Sequence, residues 1–102
     1  MTATEYLQQV SAYRNNVIRA HKIGDQDRIE HCEKEYKAFI CKVTDQLENL
    51  GNEKYAMILF EKHIEQKTLV QIAAETKYYY GYMRKLHIDA LKAFEAKYLQ
   101  GT

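Results

Sequence analysis

Not one proline interrupts the 102 residues of this chain, and its only glycines are Gly24, Gly51, Gly81 and Gly101. Proline removes a backbone donor and clashes with the preceding turn, and glycine is the next strongest helix breaker. Between those four glycines nothing stops a helix from propagating. Residues that lose least on entering a helix (Ala, Leu, Lys, Glu, Gln) are plentiful throughout. The chain is therefore expected to be all-α, cut into helices at its glycines.

A first helix is expected to open at Thr2, because Thr2 followed by Glu5 has the pattern of a capping box. Tyr6, Val10, Tyr13, Val17 and Ala20 then recur at steps of four and three, with Leu7 and Ile18 widening the stripe. Gly24 suits the left-handed residue that ends a helix, and Asp25 can cap the next. Along that second helix Ile29, Cys32, Tyr36, Phe39, Val43, Leu47 and Leu50 form another stripe, which Gly51 is expected to close. A helix of about 25 residues would run roughly 38 Å. Two long helices joined by a glycine turn predict an antiparallel hairpin, a coiled-coil-like arm over residues 1–50. Its stripes suffice for packing on itself and on the C-terminal half. They also offer a seam to a second copy, so a homodimer is expected. Residues 51–102 form the second unit, with Gly51 a soft boundary, since a chain this short has room for one compact domain.

Charge is nearly balanced at +1, but it is not evenly spread. Residues 77–102 hold five cations (Lys77, Arg84, Lys85, Lys92, Lys97) against Asp89 and Glu95, whereas the rest of the chain is slightly acidic. That is a mild electrostatic footprint for nucleic acid on the last helix. Cys32 and Cys41 are nine residues apart and face nearly opposite sides of one helix, so they cannot pair with each other. Both are expected to be buried or half-buried small apolar residues in a reducing cytoplasm. No apolar run reaches a transmembrane length and no charged-then-apolar leader opens the chain, which predicts a soluble, cytoplasmic protein without a membrane partner.

Beyond Gly51, Asn52 can cap a third helix whose apolar face is Tyr55, Ile58, Leu59 and Ile64. Glu65, Gln66 and Lys67 break it, and Thr68 can cap the next. From Thr68 to Leu91 the chain reads as a short helix, a tight turn and a longer basic helix. Leu69, Ile72 and Ala73 stripe the first piece; Met83, Leu86, Ala90 and Leu91 stripe the second, with Arg84 and Lys85 off the stripe. One side of the second helix is thereby committed to the core and the other is free to enter a groove.

These residues, LVQIAAETKYY followed by YMRKLHIDALKAF, resemble the DNA-reading helix-turn-helix of the fourth region of primary sigma factors. In particular they look like the RinA/ArpU-like phage transcription regulators built on that region. The resemblance is best from Tyr55 to Phe94, and the opening TATEYLQQV is similar to the N-terminal arm of such proteins. Gln71-Ile72-Ala73 stand where the family has its Glu-Ile-Ala. Met83 and Arg84 take its Val and Arg, and Leu86-His87 with Ala90-Leu91 its closing Leu-His and Ala-Leu. The resemblance implies a recognition helix beginning near Tyr79 or Tyr80, with Tyr80, Gly81, Arg84 and Lys85 facing bases. It also implies transcriptional activation. Where the family has a leucine and glycine in the turn and a capping serine, this chain has Thr76, Lys77 and Tyr79. A lysine in a left-handed position costs about 1 kcal/mol and tyrosine is a poor N-cap, so the turn is expected to be longer or differently shaped. Tyr80 and Gly81 also lack the amide or guanidinium that makes bidentate base contacts.

Tyr78, Tyr79, Tyr80 and Tyr82 are the oddest local feature. A tyrosine ring can lie against a thymine methyl while its hydroxyl bonds a phosphate, and the same ring is a favoured anchor at protein interfaces. Tyr78 is expected to complete the core beneath the turn, and the other three to lie at the surface. Thr68 and Gln71 are expected to meet the nucleic-acid backbone at the start of their helix, with Lys77 and Lys92 as phosphate neighbours. Catalysis is not indicated. His21, His31, His63 and His87 are scattered, His63 lies between Glu61 and Glu65 without an HExxH spacing, and no phosphate loop or nucleophile context occurs. No cofactor and no metal are expected. The predicted function is sequence-specific binding of duplex DNA by a phage or prophage regulator acting in a bacterial host, with RNA polymerase as a further partner. The DNA-binding residues expected are Thr68, Gln71, Lys77, Tyr79, Tyr80, Tyr82, Arg84 and Lys85. The alternative is a protein-interaction module on the same fold, binding RNA polymerase or a host protein through its tyrosines.

Overall fold

Thr2 opens the first helix as its sequence requires: its Oγ1 accepts from the Glu5 N–H at 3.1 Å, and Glu5 Oε1 accepts from the Thr2 N–H at 3.0 Å. The computed structural model describes residues 1–99; residues 100–102, the tail of the expected second unit, lie outside the described residues. Helix α1 (Ala3–Ile23) ends on Gly24, whose φ of 81° is the left-handed conformation that glycine adopts without strain. Asp25 then caps α2 (Gln26–Glu48) by accepting from the Arg28 N–H at 3.3 Å. This helix stops short of the expected Gly51. Asn49 closes it, donating its side-chain amide to the Asp45 carbonyl at 2.8 Å, and Gly51 (φ 88°) serves the link that follows.

Asn52 caps α3 (Glu53–Leu59) by accepting from the N–H groups of Lys54 and Tyr55. The chain then continues through a π-helical turn, Phe60–Ile64. After the break at residues 65–67, α4 (Leu69–Thr76) and α5 (Tyr80–Phe94) follow, and a second π-helical turn covers Glu95–Leu99. The described residues are all helix and connection, with no strand. None of their helices is long and apolar enough to cross a membrane.

One apolar cluster joins the elements on both sides of Gly51. Tyr6, Leu7 and Val10 enter it from α1; Phe39, Val43 and Leu47 from α2; Ile58, Leu59 and Ile64 from α3 and its π turn. Ile72 and Ala73 of α4 and Met83, Leu86, Ala90 and Phe94 of α5 complete it. Tyr6 is wedged between Phe39 and Phe94, with ring centroids at 5.5 and 5.7 Å. Its hydroxyl donates to Gln46 Oε1 at 2.9 Å, so the polar end of a buried ring is satisfied. The second π turn ties the ends of α1 and α2 together. Glu95 accepts from the Ala3 N–H at 2.9 Å, Tyr98 donates to the Gln46 carbonyl at 2.7 Å, and Lys97 donates to the Asn49 carbonyl.

The two long helices pack most extensively on each other. From Val17 and Cys32 to the Gly24 turn, no residue of either helix joins the core cluster. Ile18 is 46% exposed and Ile23 61%, whereas Ile29 and Cys32 are half-buried. Cys41 departs from expectation: it is exposed, because the stripe of Phe39 and Val43 turns it to the opposite side of α2.

Candidate functional site

Two anchors hold α4. At its start Thr68 and Gln71 form a second capping box: Thr68 Oγ1 accepts from the Gln71 N–H at 3.1 Å and Gln71 Oε1 from the Thr68 N–H at 2.8 Å. Both residues are exposed, but each backbone N–H is already bonded to the other residue's side-chain oxygen. Just before the helix, Lys67 Nζ lies 2.7 Å from Glu61 Oε2 and 2.9 Å from Glu75 Oε2. Those two carboxylates push the lysine well above its ordinary pKa and clip α4 to the π turn after α3.

The turn between α4 and α5 spans residues 77–79. Lys77 takes it in the left-handed conformation (φ 62°, ψ 26°), donating its N–H to the Ala73 carbonyl, which also accepts from the Tyr78 N–H at 3.2 Å. Tyr79 occupies the N-cap of α5 with no side-chain hydrogen bond, and α5 begins at Tyr80. Both features follow from the residues that stand where a glycine and a serine would be easiest.

Helical periodicity divides α5 cleanly. Met83, Leu86, Ala90 and Phe94 are buried, while Tyr80, Gly81, Arg84, Lys85, Ile88 and Lys92 are exposed. Arg84 and Lys85 therefore project where the sequence places them. Tyr79 is 86% exposed, Tyr80 49% and Tyr82 39%. Tyr78 is a correction: it is 42% exposed and not part of the core. It lies beyond the left-handed Lys77, which redirects the chain after α4, and Ile72, Ala73 and Met83 are what the two helices bury on either side of the turn.

Tyr78 instead packs on Tyr82, with centroids 5.1 Å apart, and Lys54 joins them from the first turn of α3. The ammonium of Lys54 is 5.9 and 6.0 Å from the two ring centroids and 3.5 Å from the Tyr82 hydroxyl. A cation over the negative faces of two rings is held by their quadrupoles. No spacing in the sequence signals this approach, since 28 residues separate Lys54 from Tyr82. Lys54, Tyr82, Lys85 and Asp89 border one shallow cleft of about 340 Å³, and Lys77, Tyr78, Tyr79 and Tyr82 another of about 570 Å³. The assembled face is aromatic and basic, with Asp89 half-buried at its edge.

At the other edge of α5, His87 meets His63 of the π turn, Nε2 to Nε2 at 3.0 Å. The contact requires one ring to donate and the other to accept, so at least one imidazole must be neutral. Burial, then His87 and Lys62, pushes His63 down to about 4, and burial with Lys62 lowers His87. The other two histidines sit at the surface against carboxylates, His21 with Glu33 at 3.1 Å and His31 with Glu35 at 2.9 Å. Among the described residues no three His, Cys, Asp or Glu side chains converge as a metal cage would need. No protein family, curated protein or solved structure matches the chain.

Proposed function

We propose that the chain is a sequence-specific, duplex-DNA-binding transcription regulator of phage or prophage origin, whose α4, turn and α5 work as a sigma-like helix-turn-helix. The observation that carries this reading is the division of α5. Its buried face is Met83, Leu86, Ala90 and Phe94, and its free face presents Arg84 and Lys85 between exposed tyrosines. A helix anchored along one side and basic along the other is what a major groove about 12 Å wide admits.

In this mechanism α5 enters the groove from Tyr80 onward. The Arg84 guanidinium reads base edges, where it can donate two parallel hydrogen bonds to guanine. Lys85 and Lys77, joined by Lys54, neutralise phosphates, and Tyr79, Tyr80 and Tyr82 line the groove wall against thymine methyls. Thr68 and Gln71 set the start of α4 beside the backbone. The α1–α2 pair acts as a hairpin arm that joins two copies at a fixed half-site spacing. The regulator works in the bacterial cytoplasm, and contact with RNA polymerase turns binding into activation, as the sigma-like resemblance implies. Selection of bound fragments from a random duplex pool tests the reading, with Arg84→Glu/Lys85→Glu run beside the parent. An enriched motif that the variant loses, with helical content and oligomeric state unchanged, is the expected result. A variant that binds DNA as well as the parent would refute the assignment of α5.

Tyr79, at 86% exposed, favours a second reading in which the same face anchors a protein partner. Aromatic residues with a polar tip are enriched at such interfaces. Ionic strength separates the two. Phosphate contacts release counterions and weaken steeply with salt, whereas a tyrosine-anchored interface changes little.

A further inference from the structure

Along the middle of the free face of α5 stand Gly81, Arg84, Lys85 and Ile88, at positions i, i+3, i+4 and i+7. By that spacing a helix lying in a major groove presents side chains to successive base edges. Two of these residues have no partner within the fold. Ile88 is 47% exposed, on the side of α5 away from the core. Gly81 weakens the first turn of a helix, yet its φ is not positive and a Cβ added to it would meet nothing within 4 Å. We propose that Ile88 is a specificity-determining residue that packs on the 5-methyl group of a thymine, and that Gly81 lets the backbone of α5 approach the groove floor closely enough for that contact.

The surroundings of Ile88 select this partner. Arg84 and Lys85 precede it by one helical turn and Lys92 follows it by one, and none of the three is ion-paired among the described residues. Asp89, the one carboxylate of α5, is half-buried and lines the cleft beside Lys54 and Tyr82. An apolar protein surface reaching the isoleucine would have to cover these unneutralised cations, and the cores of protein interfaces are depleted of charge. A polyanion with an apolar group at its centre meets both demands. The thymine methyl is the apolar group that base pairs present in the major groove, between two phosphate backbones. Tyr80 and Tyr82 leave the helix about 100° to either side of Gly81, toward the groove walls, so Ile88 faces the floor without competition from them. A rise of about 6 Å separates Ile88 from Arg84, which puts the thymine within about two base pairs of the base that Arg84 reads.

The inference rests on the DNA-binding reading above, and its test keeps the two apart. The full chain is titrated with the duplex recovered by selection, then with duplexes in which each thymine in turn is replaced by uracil, a change that deletes only the 5-methyl group. The parent should lose about three- to fivefold in affinity at the thymine facing Ile88, the worth of burying one methyl group. Ile88→Ala should bind the unmodified duplex at least that much more weakly and no longer respond to uracil at that position, while responses at other thymines persist. The residue is exposed, so the variant should keep its helical content. Gly81→Ala should weaken binding several-fold without lowering the thermal midpoint, because alanine is the better helix former and its Cβ has open space. The assignment is overturned, and the DNA-binding reading left standing, by any of three results: a selected motif with no uracil-sensitive thymine within about two base pairs of the Arg84-dependent position, an Ile88→Ala variant that keeps the parent's full uracil response, or a Gly81→Ala variant that binds as the parent does. A parent that binds no duplex overturns both.

Discussion

His63 and His87 lie 24 residues apart in the chain and meet Nε2 to Nε2 at 3.0 Å, pinning the π turn after α3 to the middle of α5. The contact needs at least one neutral ring to accept, and a doubly protonated pair would set two donors face to face. His63 is held at about 4 and His87 is lowered too, whereas in the unfolded chain both return to about 6.5. Between those values the unfolded chain takes up protons that the folded chain refuses. Stability is therefore fully present above about pH 6.5 and falls as the pH drops toward 4. The loss between about pH 7 and about pH 4.5 should include on the order of 2 kcal/mol from His63. His63→Gln should remove that part of the slope. Urea unfolding at several pH values measures it, and a variant whose pH slope matched the parent's would show that the pair does not titrate as described.

Lys77 holds a φ of 62° at the C-cap of α4, a conformation that costs a side chain with a Cβ roughly 1 kcal/mol or more. Lys77→Gly should raise stability by up to about 1 kcal/mol, less the extra freedom that glycine gives the unfolded chain. Tyr79→Ser, which supplies the cap oxygen that α5 lacks, should add a further 0.5–2 kcal/mol or so. Thermal midpoints would report both gains. A midpoint lowered by Lys77→Gly would mean that the lysine side chain contributes more than its backbone strain removes.

Phe94 is fully buried and its ring meets Tyr6 at 5.7 Å and Tyr98 at 5.0 Å, so it joins the last helix to the first. Phe94→Ala should cost about 3–5 kcal/mol in urea unfolding, through lost transfer energy and the cavity left behind. Ile18, 46% exposed beyond the core, should change stability by no more than about 0.5 kcal/mol on truncation to alanine. A larger loss for Ile18→Ala that grew on dilution would place the residue in a subunit seam, because dimer stability depends on protomer concentration.

Local chemistry was largely legible in the order of residues. Thr2, Asp25, Asn52 and Thr68 cap the helices for which their side chains suit them, and Gly24 ends α1 left-handed. The buried stripe of α5 follows helical spacing, because a helix with one apolar face has only one way to turn toward a core. What could not be read depends on where separate helices meet. The approach of Lys54 to Tyr82 and of His63 to His87 is set by the packing of α3 against α5, which no local spacing encodes. Apolar character alone suggests burial for Tyr78, but it follows a left-handed residue at the end of α4 and stands 42% exposed. The π turn at Phe60–Ile64 has no signature of its own in FEKHI, and α2 ends at Asn49 because an asparagine amide can close a helix before a glycine is reached.

Lys54 supplies the sharpest test of whether the aromatic, basic face binds DNA, because it is exposed and lies on α3, outside the two helices of the motif and the turn between them. Its ammonium is held near Tyr78 and Tyr82 by weak contacts alone, so Lys54→Ala should leave stability almost unchanged. If Lys54 neutralises a phosphate beside the groove occupied by α5, its loss should weaken binding about equally across DNA sequences. The slope of log affinity against log salt should then shrink by about one. Arg84→Ala should behave differently, costing roughly 1–3 kcal/mol on the preferred site and relaxing the preference at one base position. Affinities of parent, Lys54→Ala and Arg84→Ala at several salt concentrations, on preferred and scrambled duplexes, distinguish a phosphate contact from a base contact. An unchanged salt slope in Lys54→Ala would remove α3 from the interface and confine it to α5 and the turn. Binding without any salt dependence in the parent would instead favour a protein as the partner of the tyrosine face.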